Sequence, residues 1–175
     1  PDFALSSLNS LARYTNVVGV VTQPDRRAGR GKTLTPPPVK VLAEELGLEV
    51  FQPESLRSAE AFAQLQSWQP DVIVVAAFGQ ILKPNVLELP EYGCINVHAS
   101  LLPRWRGAAP INAAILHDDV ETGVTIMKMD AGLDTGPILS MREIPILPED
   151  NAGRLSGKLA DLGADLLVLS LIHIS

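Results

Sequence analysis

The chain is 175 residues long, 46% hydrophobic and 19% charged, with a formal net charge of −6 and a single cysteine, Cys94. That composition excludes disordered and fibrous classes and leaves one domain with a core of ordinary size; the longest apolar run, residues 72–78, is far short of the roughly 20 residues a membrane helix needs. One cysteine excludes an internal disulfide and fits a reducing cytoplasm, no basic, apolar leader points to export, and the acidic balance argues against DNA or a general nucleic-acid surface.

The first periodic segment places Leu5, Leu8 and Ala12 on one helical face with no strand ahead of it, whereas an α/β protein normally begins with that strand. NVVGVVTQ (16–23) reads as a strand that enters a long loop at Pro24-Asp25, running through RRAGRGKT and the three prolines 36–38. Val39, Leu42, Ala43 and Leu46 recur at helical spacing up to Gly47, a left-handed cap. LEVFQP (48–53) is a short strand, 58–68 a helix capped by Ser58, and PDVIVVAAFG a strand covered on both faces. A short helix near 84–89 leads to the strand 94–99; then follow a helix over 108–118, strands over 122–129 and 136–146, and a helix over 152–170 with Leu155, Leu159, Leu162 and Leu166 along one face. Gly157 and Gly163 weaken the case for that last helix. Strands alternating with helices give an α/β fold with a doubly wound, mostly parallel sheet flanked by helices, its sites at the carboxyl ends of the strands. The chain opens on Pro1 and closes on LSLIHIS without a cap; the expectation is a fragment whose last residues come from a cloning or sequencing junction.

Asn96 and His98 stand two apart on a strand, so both side chains leave the same face, about 7 Å apart. An amide donor and an imidazole donor aimed at one spot suit an oxyanion site. A carboxylate is then needed to orient the imidazole, and Asp134 in DAGLDTG, after another predicted strand, reaches the same sheet edge. GRGKT (29–33) is not a phosphate-binding loop, because Arg26 holds the position of its first glycine, and no GxGxxG follows a strand. His98, His117, His173 and Cys94 have no metal-ligand spacing, so no metal is expected; His117 reads as a surface residue at a helix end and Cys94 as a small core residue. Ser100 near His98 raises a serine-hydrolase alternative, but HASLL lacks the glycines of a nucleophile elbow, and the serine reads better as a turn residue. Residues 23–40 carry Arg26, Arg27, Arg30, Lys32 and Lys40 against Asp25, a local basic stretch able to meet phosphates.

NVHASLLPRWRGAAPI followed by ETGVTIMKMDAGLDTG resembles the folate-dependent formyltransferases over nearly the whole chain, including QPDRRAGRGKTLTPPPVKVLAEE. The resemblance implies a Rossmann-like fold and transfer of formyl from 10-formyltetrahydrofolate to the α-amine of methionine on initiator tRNA. It puts the catalytic asparagine, histidine and aspartate on Asn96, His98 and Asp134. It assigns the folate site to Phe78, Gly79, Gln80, Ile81, Leu82, Ser100, Leu101, Leu102, Pro103, Asp130 and Gly132, and tRNA contacts to Arg26, Arg27, Arg30 and Lys32, with Gly29 and Gly31 letting that loop order on binding. It also implies that residues 1–175 are a catalytic domain lacking the family's opening strand and a C-terminal tRNA-binding barrel. The alternatives are a formyltransferase for a small amine, glycinamide ribonucleotide or an amino-sugar nucleotide, and a noncatalytic RNA-binding fragment.

Overall fold

The computed structural model describes residues 2–28 and 33–174. In chain order the elements are α1 (Phe3–Tyr14), β1 (Val20–Val21), β2 (Arg26–Ala28), β3 (Thr33–Thr35), α2 (Pro38–Glu45), β4 (Val50–Phe51), α3 (Ala59–Trp68), β5 (Ile73–Ala76), α4 (Pro84–Leu87), β6 (Cys94–His98), α5 (Pro110–Leu116), β7 (Glu121–Lys128), β8 (Ile138–Pro145) and α6 (Ala152–Ile174). Helix ends follow local chemistry. Ser58 Oγ accepts from the Ala61 N–H at 3.1 Å to cap α3. Gly47 takes φ +70° past α2, where the Leu48 N–H donates back to the Ala43 carbonyl at 2.9 Å.

β1 pairs with β4 in parallel, Val20 opposite Val50. A second sheet has the order β5-β6-β7-β8, parallel between β5 and β6 and antiparallel from β6 to β8. The α/β class and flanking helices are those expected from sequence. The β6–β8 end adds antiparallel strands: β8 runs back along β7 because residues 129–137 are too short a link for a parallel crossover, and β7 is itself antiparallel to β6 although residues 99–120, with α5, separate them. The expected long loop after Pro24 contains an antiparallel ribbon instead, with Arg26 opposite Thr35; Gly29, Arg30, Gly31 and Lys32 lie outside the described residues.

Helix α6 supports the second sheet. Leu155, Leu159 and Leu167 are fully buried in one cluster with Ile95, Val97, Val124 and Ile126. Gly157 and Gly163 interrupt nothing. A Cβ on Gly163 would lie 2.8 Å from Val97 Cγ1 and 3.3 Å from Val124 Cγ1, so this glycine lets helix and sheet approach closely, whereas a Cβ on Gly157 would meet nothing within 4 Å.

The edges of β1 and β5 away from β4 and β6 have no strand partner among the described residues. A cavity of about 390 Å³ lies between the two strands, closed also by Leu8, Trp68 and Leu171. Two of its lining residues bury unpartnered polar atoms, Ser7 Oγ and Trp68 Nε1. β5, expected to be covered on both faces, is therefore half-buried along its length.

Candidate active site

Every residue of β6 is buried. Strand alternation sends Ile95 and Val97 into the α6 core and Asn96 and His98 to the opposite face. Asn96 lies opposite Val75 of β5 and Met127 of β7, and His98 opposite Thr125. The two polar side chains are nearly closed off, at 9% and 6% exposure, so each needs partners.

Asp134 supplies them from the loop after β7. Asp130 shapes that loop, its Oδ1 accepting from the Gly132 N–H at 2.9 Å and from Thr135 Oγ1 at 2.8 Å. Asp134 takes a left-handed backbone, φ +50°. Its Oδ1 accepts from Asn96 Nδ2 at 3.3 Å and its Oδ2 from the Gly107 N–H at 2.7 Å. Oδ2 also lies 3.6 Å from His98 Nδ1. The three residues picked out in sequence thus meet at one carboxylate, 38 residues in sequence from Asn96.

The other nitrogen of His98 is held by the turn that follows β6. Nε2 stands 2.9 Å from the Trp105 carbonyl. A carbonyl only accepts, so Nε2 carries the hydrogen and Nδ1 is the nitrogen turned to Asp134. The turn is built on buried hydroxyls: Ser100 Oγ donates to the Arg104 carbonyl at 2.6 Å, while Thr125 Oγ1 donates to the Ser100 carbonyl at 2.6 Å and accepts from the Leu102 N–H at 3.1 Å. Ser100 hands its proton to a carbonyl, not to a base, which removes the arrangement a serine nucleophile requires.

Asp119, just before β7, fixes the outer side of the same turn. Arg104 donates to it twice, Nε to Oδ2 at 2.9 Å and Nη2 to Oδ1 at 2.6 Å, and Trp105 Nε1 donates to Oδ2 at 2.6 Å. The Arg104 and Trp105 donors hold the Asp119 carboxyl down at about 2. The Arg104 guanidinium lies 4.3 Å over the indole. His117, read in sequence as a surface residue at a helix end, is exposed as expected but packs its ring 4.4 Å from that of Trp105. Gly107, Trp105, Asp119 and Thr125 were not legible as site residues from sequence. Their partners lie 7 to 27 residues away, and the only local signal was the compact RWRG string itself.

The remaining sequence-derived positions make their contacts outside this carboxylate. Phe78 and Leu82 line the cavity between the sheets. The Phe78 carbonyl accepts from Gln23 Nε2 at 3.2 Å, and Gln80 Oε1 accepts from the Leu56 N–H at 3.1 Å. Gly79 has φ +76°, and Ile81 is 73% exposed. Leu102 is buried, Leu101 half-buried and Pro103 exposed. Arg26 and Arg27 are exposed on β2, with Arg26 Nη2 donating to Gln23 Oε1 at 2.6 Å; Arg30 and Lys32 fall outside the described residues. Lys40 pairs with Asp25 at 2.8 Å, so it is neutralised within the fold. Gln52 and Lys40 keep the Asp25 carboxyl below its usual range. The Cys94 thiol donates to the Val86 carbonyl at 3.5 Å, and burial pushes it up to about 12. Among the described residues no group of three or more His, Cys, Asp or Glu could hold a metal ion, and no helix is long and apolar enough to cross a membrane.

The family described as formyl transferase matches residues 4–171. The chain is 58% identical over 167 residues to the methionyl-tRNA formyltransferase of Stenotrophomonas maltophilia (strain K279a), covering 95% of this chain and 54% of that protein. It is 57% identical over 175 residues to the methionyl-tRNA formyltransferase of Halorhodospira halophila (strain DSM 244 / SL1), covering 99% and 56%. The chain thus spans about half the length of these relatives. The phosphoribosylglycinamide formyltransferase of Streptococcus pneumoniae TIGR4 has a similar structure, with a TM-score of 0.78 at 23% identity over 97% of this chain and 92% of that one. The corresponding enzyme of Bacillus halodurans gives 0.76 at 26% identity, over 95% and 86%. With a family match across nearly all its residues and a fold shared with solved members, this chain belongs to the formyl transferase family.

Proposed function

We propose that the protein transfers the formyl group of 10-formyltetrahydrofolate to the α-amino group of methionine on initiator tRNA. The observation that carries the chemistry is the Asp134 carboxylate, joined to Asn96 Nδ2 and facing His98 Nδ1. The amine attacks the formyl carbon, and the formyl oxygen takes the charge as the new C–N bond forms. Asn96 has two amide protons and gives one to Asp134, leaving the second for that oxygen. His98 Nδ1, when protonated, is the other donor, because Nε2 is already spent on the Trp105 carbonyl. The attacking amine releases a proton through water toward Asp134, and the same relay delivers it to the folate nitrogen as collapse breaks the bond between that nitrogen and the formyl carbon. No side-chain nucleophile is required.

The acceptor is argued from the relatives named methionyl-tRNA formyltransferase, at 58% and 57% identity. Arg26 and Arg27, exposed on β2, together with Arg30 and Lys32, would meet phosphates of the tRNA. The folate donor would lie along Phe78 to Leu82, Ser100 to Pro103, Asp130 and Gly132. Of these, the exposed positions Gly79, Ile81, Pro103, Asp130 and Gly132 are open to a ligand, while Ser100 and Leu102 serve by shaping the turn beneath it. We read residues 1–175 as the catalytic domain of a longer cytoplasmic protein, with a strand preceding α1 in the cavity between β1 and β5 and a barrel domain following α6.

Labelled formyl transfer from 10-formyltetrahydrofolate to charged initiator tRNA, measured with the full-length protein, tests the proposal. Transfer at enzymatic rates is expected. Transfer to glycinamide ribonucleotide or to an amino-sugar nucleotide instead would overturn the acceptor. RNA binding by a folded protein with no transfer to any amine would overturn the reaction.

A further inference from the structure

His98 has one ring nitrogen bound to the protein and one left to act, and the bound one depends on a carbonyl held in an unusual place. Trp105 accepts from His98 Nε2 at 2.9 Å with its backbone at φ +56°. A bulky residue rarely takes that left-handed conformation unless its surroundings impose it.

Asp119 gathers the side chains on the outer side of this turn. Its carboxylate, 12% exposed, receives both nitrogens of the Arg104 fork and the indole N–H of Trp105. Two consecutive side chains converge on one acceptor, and the guanidinium stacks on the indole at 4.3 Å. On the inner side, Ser100 Oγ holds the Arg104 carbonyl at 2.6 Å. Fixed by its side chain outside and by the preceding peptide inside, Trp105 has little freedom to turn its carbonyl away from His98.

We propose that Asp119 is a positioning residue for formyl transfer. Through Arg104 and the Trp105 indole it keeps the Trp105 carbonyl on His98 Nε2, and so assigns Nδ1 as the nitrogen that meets Asp134 and the reacting atoms. The catalytic part of this proposal rests on the function given above. Without the lock, Trp105 relaxes, Nε2 loses its acceptor, and the neutral ring can move its hydrogen to Nδ1, donating to Asp134. With Nε2 unheld the ring is also free to turn, so that the Nδ1 donor that meets the formyl oxygen when protonated is no longer aimed at it.

The test uses the full-length protein with ¹⁵N-labelled histidine, as wild type, as Asp119→Ala and as Trp105→Phe, which keeps an aromatic ring but removes its N–H. Imidazole ¹⁵N shifts above neutral pH report the tautomer of His98; steady-state kinetics separate kcat from KM, and a thermal melt reports folding. Wild type is expected to carry its hydrogen on Nε2. Both variants are expected to mix tautomers, with kcat lower by on the order of tenfold to a hundredfold and KM for both substrates within about twofold. A purely structural role would leave the imidazole pattern unchanged in variants that remain folded, and that result overturns the proposal, as does a changed tautomer with unchanged kcat. If Asp119→Ala fails to fold, Trp105→Phe decides. A folded wild type that transfers no formyl group overturns the function proposed above, while the lock still stands or falls on the imidazole pattern.

Discussion

Alanine at two glycines of α6 gives a paired experiment in which one variant reports helix propensity and the other adds a collision. At Gly157 the new methyl meets nothing within 4 Å, so Gly157→Ala should gain the ordinary ~0.5–1 kcal/mol of alanine over glycine in a helix. For a chain of this size that raises Tm by about 1–4 °C. At Gly163 the same methyl would lie 2.8 Å from Val97 Cγ1. Val97 is 2% exposed on a strand paired along both edges, and its β-branch leaves it one favourable rotamer or few. Overpacking of that kind costs about 1–3 kcal/mol, so Gly163→Ala should end neutral to ~2.5 kcal/mol less stable than wild type. The two positions are about 9 Å apart along the helix, and the double variant should be additive within ~0.5 kcal/mol. Urea unfolding monitored by circular dichroism, with the slope compared between variants, measures all three. Because Val97 stands between Asn96 and His98, Gly163→Ala should also lower formyl transfer, whereas Gly157→Ala should not. Equal stability of the two single variants, within ~0.3 kcal/mol, would refute the packing account of Gly163.

Asp134→Asn should reduce kcat by about 10²–10⁴, since it removes the charge facing His98 and sets an amide NH2 against one of the two donors, Asn96 Nδ2 or the Gly107 N–H, that the carboxylate accepts from; steady-state formyl transfer checks this. The Asp119 carboxyl is held at about 2, against an ordinary 3.8. A depressed carboxyl stabilises the fold fully above its unfolded value and loses that stabilisation as pH falls through the folded one. Unfolding midpoints should therefore drop between about pH 4 and pH 2, and Asp119→Asn should flatten that slope; an unchanged slope would count against the pairing. The Cys94 thiol, buried and pushed up to about 12, should resist alkylation in the native protein and react only after unfolding in urea, which iodoacetamide labelling followed by mass spectrometry will read.

What sequence could reveal here was whatever local periodicity carries. Ser58 announced α3 and Gly47 ended α2, because caps act within a few residues. Asn96 and His98 were legible as a pair since a strand fixes side-chain direction at every second residue, and Asp134 followed from the rule that such sheets gather loops at one edge. The contacts of Gly107, Trp105 and Asp119 escaped because each depends on a turn whose path no period encodes. The depth of burial of β5 was overestimated for a related reason. An apolar run records what a strand prefers to touch, and it is silent on whether a neighbour stands at its edge. Gly163 misled in the opposite sense: its low helix propensity is local, whereas its reason, the proximity of Val97, is tertiary.

The left-handed backbone at Asp134 narrows the alphabet available to this position. Glycine, asparagine and aspartate enter that region with least strain. Glycine would bring no side chain, and asparagine would bring the shape without the charge. Glutamate keeps the charge but lacks the short side chain whose local hydrogen bonding offsets the cost of that region, and its additional methylene would carry the carboxylate past the Gly107 N–H. Two independent demands, one on φ and one on chemistry, therefore intersect at a single residue type. A search for altered activity in this protein would do better to vary the walls around Asp134 than Asp134 itself.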